Sequence, residues 1–158
     1  MAHRLAIMRN GQLEQIGKPW EVYQSPVNRF VAEFIGEANF IPGEIKQIKS
    51  NKEIVIHTPL GKICSRHPHP ALKPVAGEKV ECMIRPEAIQ IAQSNINNFS
   101  GTLTKITYLG ETEQYLITAQ GLTIKALQLN ITSPQYQRGE KITFSFDPVQ
   151  VVVLKKEE

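Results

Sequence analysis

The feature that most constrains the fold is a long series of short β-type runs that begins near Phe40. In these runs apolar and polar residues alternate, and Pro, Gly, Asn or Asp residues separate one run from the next. Such alternation places one set of side chains on a buried face and the other on a solvated face of a strand. Many short strands at nearly regular spacing predict a mainly β protein built from paired, OB-like small barrels.

Individual runs show which side chains these strands bury. Val80, Cys82 and Ile84 alternate with Glu81, Met83 and Arg85 over one predicted strand. The other predicted strands are EIVIHT, KICS, GTLTKITYLG, EQYLITA, LTIKAL, EKITFSF and VQVVVL. The segment HPHPALKPVAG holds three prolines and is predicted to be a loop, because proline cannot donate to a strand ladder.

Two segments of the β region resemble each other. NFIPGEIKQI (39–48) and NFSGTLTKI (98–106) both begin with Asn-Phe, continue through a Gly and end in an alternating strand. A repeated supersecondary pattern predicts two similar half-barrels.

A different pattern occupies the first 36 residues. Apolar residues alternate on both sides of Asn10-Gly11, which predicts a β-hairpin, because both central residues of a type I′ turn need a positive φ. An isolated hairpin is marginal in water, so we expect this one to be the end of a larger domain.

Two short helices are predicted after the hairpin. Pro19 suits the first position of a helix, and Ser25-Pro26 would end it. One apolar stripe at helical spacing follows, formed by Val27, Phe30, Val31 and Phe34, with Gly36 as a C-cap. Trp20, Phe30 and Phe34 are expected to be core residues or, alternatively, to contact a domain that precedes them.

Charge and composition exclude several classes of function. The 18 basic and 15 acidic residues are interspersed and give a net charge of +3, with no basic block that predicts a nucleic-acid partner. No apolar run approaches the roughly 20 residues that cross a bilayer, so no membrane insertion is expected. Cys64 and Cys82 lack a CxxC spacing and an export signal, which favours a reducing cytoplasm and two small core residues.

The chain offers few groups that could carry chemistry. No phosphate-binding loop, GxSxG, HExxH or GxGxxG motif is present, so no catalytic, cofactor-binding or metal-binding residue is predicted. His67 and His69 could meet one ion on an extended chain, but no third ligand is near, and solvated histidines in a stiff loop explain them more simply. Arg85 and Glu87 could form an interface pair or hold an anion; composition favours a solvated strand end.

The residues of both regions resemble one protein family. RLAIMRNGQLEQIGKPWEVYQSPVNRFVAEFIGEANFIPGEI resembles the stretch that closes the nucleotide-binding domain of bacterial ABC importer ATPases and leads into their C-terminal regulatory domain. MIRPEAIQI (83–91) is similar to the RPE strand of that regulatory domain, and GTLTKITYLGETEQYLI (101–117) to the strand and Tyr-Leu-Gly turn of its TOBE domain. The group in question serves maltose, polyamine, sulfate, molybdate and ferric-iron importers.

This resemblance implies an organisation and a set of partners. Residues 1–36 would be the C-terminal remnant of the nucleotide-binding domain with its linker helices, and residues 37–158 an OB-like, TOBE-type regulatory and dimerisation domain. The family's ATP-binding and catalytic motifs are not found in the sequence, so no ATPase chemistry and no cofactor are expected. The implied partners are a second copy of the chain, the ATPase domain of the parent subunit and, through that domain, membrane permease subunits at the cytoplasmic face. The general similarity favours ferric iron or polyamine over sugar as the transported solute.

The resemblance also implies an alternative, an oxyanion sensor. The segment EANFIPGEI (37–45) is similar to the Asn-containing start of the molybdate-binding barrel module. In that module a Ser and a basic residue precede the Asn, whereas Glu37-Ala38 stand here, and a carboxylate should repel an anion. The residues for an interface or anion site are therefore Asn39, Phe40, Arg85 and Glu87.

Overall fold

The computed structural model describes residues 3–69, 72–129 and 135–157. Twelve strands occur in these ranges, and most of them form two curled, mainly antiparallel sheets. In chain order the strands are β1 (Leu5–Arg9), β2 (Gln12–Gly17), β3 (Asn39–Ile48), β4 (Ile54–Thr58), β5 (Gly61–Ser65), β6 (His67–Pro68), β7 (Lys79–Ile84), β8 (Asn98–Tyr108), β9 (Thr112–Ala119), β10 (Leu122–Leu129), β11 (Lys141–Ser145) and β12 (Val152–Lys155). The helices are α1 (Pro19–Gln24) and α2 (Arg29–Ile35), with 3₁₀ turns at Pro86–Ala88 and Pro148–Gln150.

The hairpin and the two helices form as predicted, and we call residues 3–36 the N-terminal unit. Asn10 and Gly11 have φ values of 50° and 77°, as the tight turn between β1 and β2 requires. Helix α2 begins after Asn28, whose side chain accepts from the Val31 N–H at 2.9 Å. A small apolar cluster centred on buried Ile7, Val22 and Val31 holds the unit together.

The remaining strands build two half-barrels with the same local design. The first contains β5-β4-β3-β7 in that order, and the second contains β10-β9-β8-β11. Each long strand, β3 and β8, has a bulge after an equivalent buried residue, Ile45 or Leu103. The sequence echo therefore predicted the paired half-barrels correctly, and the strands of both halves pack around one shared apolar core.

Two glycines mark the equivalent positions of the half-barrels. A Cβ on Gly43 would lie 2.5 Å from the Ile56 Cγ2 atom, and a Cβ on Gly101 would lie 2.5 Å from the Ile117 Cγ2 atom. Both distances are shorter than any ordinary carbon–carbon contact, so the strands approach this closely only because no side chain is present.

Each half-barrel also contributes a segment to the other. Strand β12, which follows the second half, pairs antiparallel with β7 of the first, with Val152 opposite Met83. Gln90, which follows the first half, bridges Ser145 of β11 through two backbone hydrogen bonds of 2.8 Å. This reciprocal exchange makes the two halves one folding unit.

Two asparagines complete the exchange. The Asn39 side chain accepts from the Lys125 N–H at 2.7 Å and donates to the Lys125 and Ile84 carbonyls at 2.8 and 3.2 Å. The Asn97 side chain accepts from the Cys64 N–H at 2.8 Å and donates to the Cys64 and Phe146 carbonyls at 2.9 and 3.3 Å. We call these two sets of contacts the asparagine bridges. The Asn39 bridge links the first half-barrel to β10 of the second, and the Asn97 bridge links the second half-barrel to β5 of the first.

Three expectations about burial or loop structure are wrong. The loop prediction fails at His67–Pro68, because these residues form β6, a two-residue parallel strand beside β12; Pro70 lies outside the described residues. Trp20 and Phe34 are not core residues, with exposed fractions of 63% and 65%. Strand β7 is buried on both faces, since Met83 packs against Ala32 of α2.

The prediction that both cysteines are small core residues is confirmed. Cys64 and Cys82 are both buried and free. Burial raises the pKa of the Cys82 thiol to about 12, and the neighbouring Glu81 carboxylate adds to the rise. The thiol therefore stays protonated and acts as a small apolar group.

Asn39→Ala and Asn97→Ala should each destabilise the fold by about 2–4 kcal/mol, because each removes three hydrogen bonds and leaves buried backbone groups unpaired. Urea unfolding of the purified chain measures this loss. Asn95→Ala is the matched control, since Asn95 is exposed in the same loop as Asn97 and should change the free energy of unfolding little. Equal effects at all three positions would contradict the role of the bridges.

Candidate functional site

The four candidate residues lie where the N-terminal unit meets the first half-barrel. In the β3–β7 ladder, Asn39 is opposite Ile84 and Phe40 is opposite Met83. Arg85 follows Ile84 directly, and Glu87 lies in the 3₁₀ turn after it. The ladder thus brings together residues that are far apart in sequence.

Arg85 is the centre of this meeting point and is only 6% exposed. Its Nη1 atom donates to the carbonyl oxygens of Ala32 at 3.0 Å, Gly36 at 3.2 Å and Glu37 at 2.9 Å. Its Nη2 atom donates to the Tyr23 carbonyl at 3.1 Å, and the guanidinium lies 4.2 Å from the centre of the Tyr23 ring. The expectation of a solvated strand end is therefore wrong, and we call these contacts the Arg85 junction.

Helix ends explain why a buried cation is tolerated here. Tyr23 is near the end of α1, and Ala32 and Gly36 lie in the last turn and C-cap of α2. Carbonyl groups in a last helical turn lack intrahelical partners and carry partial negative charge. The planar guanidinium satisfies several of them at once, which the single ammonium of a lysine could not do. Burial lowers the pKa of Arg85, but a guanidinium stays protonated in proteins.

Tyr23 connects the Arg85 junction to Glu87. Its hydroxyl donates to the Glu87 carboxylate. Burial and, after it, the hydrogen bond to the Glu87 carboxylate and its charge raise the pKa of Tyr23 to about 12, while the charge of Arg85 opposes the rise. Tyr23 therefore stays neutral and orients Glu87.

Phe40 belongs to a second contact between α2 and the barrel. The Arg29 guanidinium lies 4.3 Å from the centre of the Phe40 ring, and its Nη1 atom is 2.7 Å from the Glu81 Oε1 atom. Phe40 also packs beside the cluster of Ala32 and Met83. Glu81 of β7, which alternation would place in water, is thus covered by α2.

Sequence reasoning missed Tyr23, Arg29 and Glu81 as members of this site. The sequence does contain one signal for this contact. Glu81 and Met83 of β7 and Arg85 directly after it lie on one face, and α1 and α2 carry the groups that contact them. The pairing could not be deduced from spacing, because the partner Arg29 is far from Glu81 in the chain.

The site offers few free donors for an anion. Among the described residues, the Asn39 side chain forms its hydrogen bonds with backbone groups, and the Glu37 carboxylate accepts from Lys125 Nζ at 3.0 Å. The Arg85 Nε–H is the one buried side-chain donor without a hydrogen-bond partner among the described residues. Arg85 lines a polar cleft of about 570 Å³ together with Arg66, Glu87 and Asp147.

The described residues hold no group of metal ligands and no helix that could span a membrane. His67 is bonded through Nε2 to the Ser25 Oγ atom at 2.8 Å. Within residues 3–69, 72–129 and 135–157, no group of three or more His, Cys, Asp or Glu side chains could hold a metal ion. No helix in those ranges has the length and hydrophobicity to cross a membrane.

Comparisons with known proteins agree with this architecture. Residues 82–154 match the TOBE domain family. The chain is 37% identical over 139 residues to the spermidine/putrescine import ATP-binding protein PotA of Nostoc sp., an alignment of 82% of this chain and 35% of the relative. It is 28% identical over 156 residues to PotA of Rubrobacter xylanophilus, covering 98% of this chain and 41% of that protein. The chain spans less than half the length of these relatives.

A solved structure shares the fold. The cytoplasmic molybdate-binding protein ModG, in a form with molybdate bound, matches with a TM-score of 0.60 and 16% sequence identity. The match covers 75% of this chain and 96% of that chain. At this identity the similarity shows the OB-like barrel architecture alone.

Replacing Arg85 tests the junction. Arg85→Met should destabilise the chain by about 3 kcal/mol, because four backbone carbonyls lose their charged donor. Arg85→Lys should lose most of the same stability, since an ammonium cannot reach all four acceptors. Urea unfolding measures both free energies, and Arg138→Met at an exposed position is the control. If Arg85→Lys is as stable as the unchanged chain, the planar geometry of the guanidinium does not stabilise the junction.

Tyr23 should make stability depend on alkaline pH. Between pH 10 and about 12 the unfolded chain releases the Tyr23 proton while the folded chain keeps it, so the free energy of unfolding falls as pH rises. Tyr23→Phe should flatten that slope in urea titrations over this window. An identical slope in both proteins would contradict the assigned environment of Tyr23.

Proposed function

This chain carries a TOBE domain and is a relative of the import ATP-binding proteins of ABC transporters, and we propose that it is the C-terminal regulatory and dimerisation domain of such a subunit. In this proposal residues 1–36 are the end of the nucleotide-binding domain, and residues 37–158 are the OB-like regulatory domain. The chain itself performs no ATPase chemistry.

The Arg85 junction is the observation that carries the proposal. One buried guanidinium joins both helices of the N-terminal unit to the end of β7, and the Arg29–Glu81 ion pair adds a second connection. A connection of this kind moves as a rigid body. Rotation of a nucleotide-binding domain would therefore be transmitted to the barrel, and a fixed contact between two barrels would act as the pivot.

Two sets of exposed apolar residues supply surfaces for these contacts. The first is the hairpin face, formed by Met8, Leu13, Ile16, Trp20 and Phe34. The second is the turn patch, formed by Tyr108, Leu109 and Leu129 around the start of β9. We assign the hairpin face to the nucleotide-binding domain and the turn patch to a second copy of the chain, because large exposed apolar groups are typical of interfaces.

The remaining assignments follow from the relatives. Their names describe spermidine/putrescine import ATP-binding proteins, so the proposed solute of the whole transporter is a polyamine. The proposed location is the cytoplasmic face of the membrane, where the nucleotide-binding domain would connect this domain to permease subunits.

An oxyanion sensor is the second candidate. The shared fold with a molybdate-binding protein and the unpartnered Arg85 Nε–H beside the polar cleft favour it. Glu87 and Asp147 line the same cleft, and Glu37 stands beside Asn39, so three carboxylates oppose an anion.

Sedimentation equilibrium distinguishes the two candidates. A constitutive pivot should give a dimer that is indifferent to molybdate, sulfate and ferric citrate. Leu109→Asp should convert the dimer to monomer, because it places a charge in the turn patch, whereas Phe34→Asp, the matched change on the hairpin face, should leave the dimer intact.

Three results would contradict a constitutive pivot at the turn patch. A dimer that forms only with one of the anions would support the sensor. A monomer under all conditions, or a dimer lost in Phe34→Asp and kept in Leu109→Asp, would show that the turn patch is not the dimer contact.

A further inference from the structure

Strands β7 and β11 occupy equivalent places in the two half-barrels. At the start of β7, the Ile45 N–H donates to the Glu78 carbonyl at 2.9 Å. At the start of β11, the Leu103 N–H donates to the Glu140 carbonyl at 2.9 Å. Each strand then pairs with the long strand of its own half, β3 or β8. The two strands therefore correspond residue by residue from these contacts onward.

The outer edges of these two strands differ. The outer edge of β7 pairs with β12 over four residues. The corresponding pairing of β11 is a single bridge between Ser145 and Gln90, after which the chain bends away at Ile91. In the described part of the chain, residues 141–144 of β11 thus pair with β8 alone. One half-barrel has a strand at this edge, and the other has an open edge.

The alternation of the ladder shows which backbone groups of β11 face outward. The Ser145 N–H and carbonyl both bond to Gln90, each at 2.8 Å, so Ser145 faces outward. Alternate residues of an antiparallel strand direct their N–H and C=O groups to the same side. The outward groups of Thr143 and Lys141 have no hydrogen-bond partner among the described residues. A row of such groups is a template for an added strand.

The charge at the start of this edge is positive. Lys105, Arg138 and Lys141 are exposed, and the first two line a groove of about 370 Å³ beside the start of β11. Glu140 is the carboxylate beside them, and its Oε2 atom accepts from the Gln137 N–H at 2.9 Å. Three cations and one carboxylate leave this end of the edge positive, so the complementary partner is acidic.

The side chains of β11 define the pattern of a partner strand. Ile142 and Phe144 are buried in the shared core, whereas Lys141 and Thr143 are exposed. Residues directly opposite each other in paired strands lie on the same face. Acidic residues would therefore lie opposite the exposed pair, and apolar residues opposite the buried pair. A second copy fits poorly, because two paired β11 edges would bring two sets of like charges together.

We propose that the outer edge of β11 binds an extended acidic segment of another protein by strand addition. The segment would lie antiparallel to β11, as β12 lies antiparallel to β7. The outward backbone groups of Lys141 and Thr143 would form its hydrogen bonds, and the side chains of Lys141 and Arg138 would select acidic residues. This interaction goes beyond the proposed function and requires neither the turn patch nor a dimer.

NMR spectroscopy of the purified, ¹⁵N-labelled chain tests the edge. The probe is a capped heptapeptide of alternating glutamate and valine, and the control peptide has lysine in place of glutamate. The acidic peptide should shift the amide signals of Lys141 and Thr143 and slow their hydrogen exchange, because these N–H groups gain partners. The basic peptide should bind about tenfold or more weakly, because its charges would lie opposite like charges.

Thr143→Pro removes an outward N–H and keeps the ladder with β8, since proline is tolerated on an edge strand whose N–H faces solvent. It should weaken binding of the acidic peptide by about tenfold or more. Thr143→Val keeps the N–H and is the matched control, with binding unchanged. Circular dichroism confirms that both variants are folded. Should Thr143→Pro fail to fold, Lys141→Glu provides the second test, because it should reverse the preference between the two peptides.

Absence of binding of the acidic peptide to the unchanged chain would overturn the proposal. Equal binding by Thr143→Pro and Thr143→Val would also overturn it, and so would equal affinities for the two peptides, which would indicate apolar attraction without charge selection. Sedimentation equilibrium tests a second copy as the occupant. A dimer that is lost in Thr143→Pro and kept in Thr143→Val would assign the edge to self-association instead.

Discussion

The fold depends on the two asparagine bridges. Asn39 and Asn97 each use both ends of a side-chain amide to bind the backbone N–H and carbonyl of one residue in the other half-barrel. An amide can do this because it carries a donor and an acceptor in a fixed geometry. The bridges close a contact between strands that could not pair in one ladder, and the shared apolar core forms between the halves that they join.

The N-terminal unit depends on the barrel in turn. Its own apolar cluster is small, and much of its hairpin face is exposed. What fixes it is β7, whose second face carries Glu81, Met83 and Arg85 toward the helices. A single strand thus serves the barrel core on one side and the helices on the other, which couples the two parts of the chain.

Sequence reasoning succeeded where structure is local and failed where distant segments meet. Asn10-Gly11 fixes a turn through the φ preference of its own residues, so the hairpin was predictable. The sequence alignment of the two half-barrel segments is wrong by one residue. Gly43 is structurally equivalent to Gly101, so the equivalent of Asn39 is Asn97, and the Asn98-Phe99 pair lies one residue later. The Arg85 junction could not be predicted, because its four acceptors are backbone carbonyls, which no residue type reveals.

The distribution of charge determines what kind of ligand this fold can accept. The guanidinium of Arg85 is largely used by helix-end carbonyls, so most of its donors are not available to an anion. Glu87, two residues later, accepts from the Tyr23 hydroxyl, a neutral donor. In a barrel that shares its architecture with a molybdate-binding protein, the guanidinium at this position therefore holds helix ends together, and a carboxylate stands beside it. The common backbone fixes where these side chains stand, and their identity determines which ligand each barrel can hold.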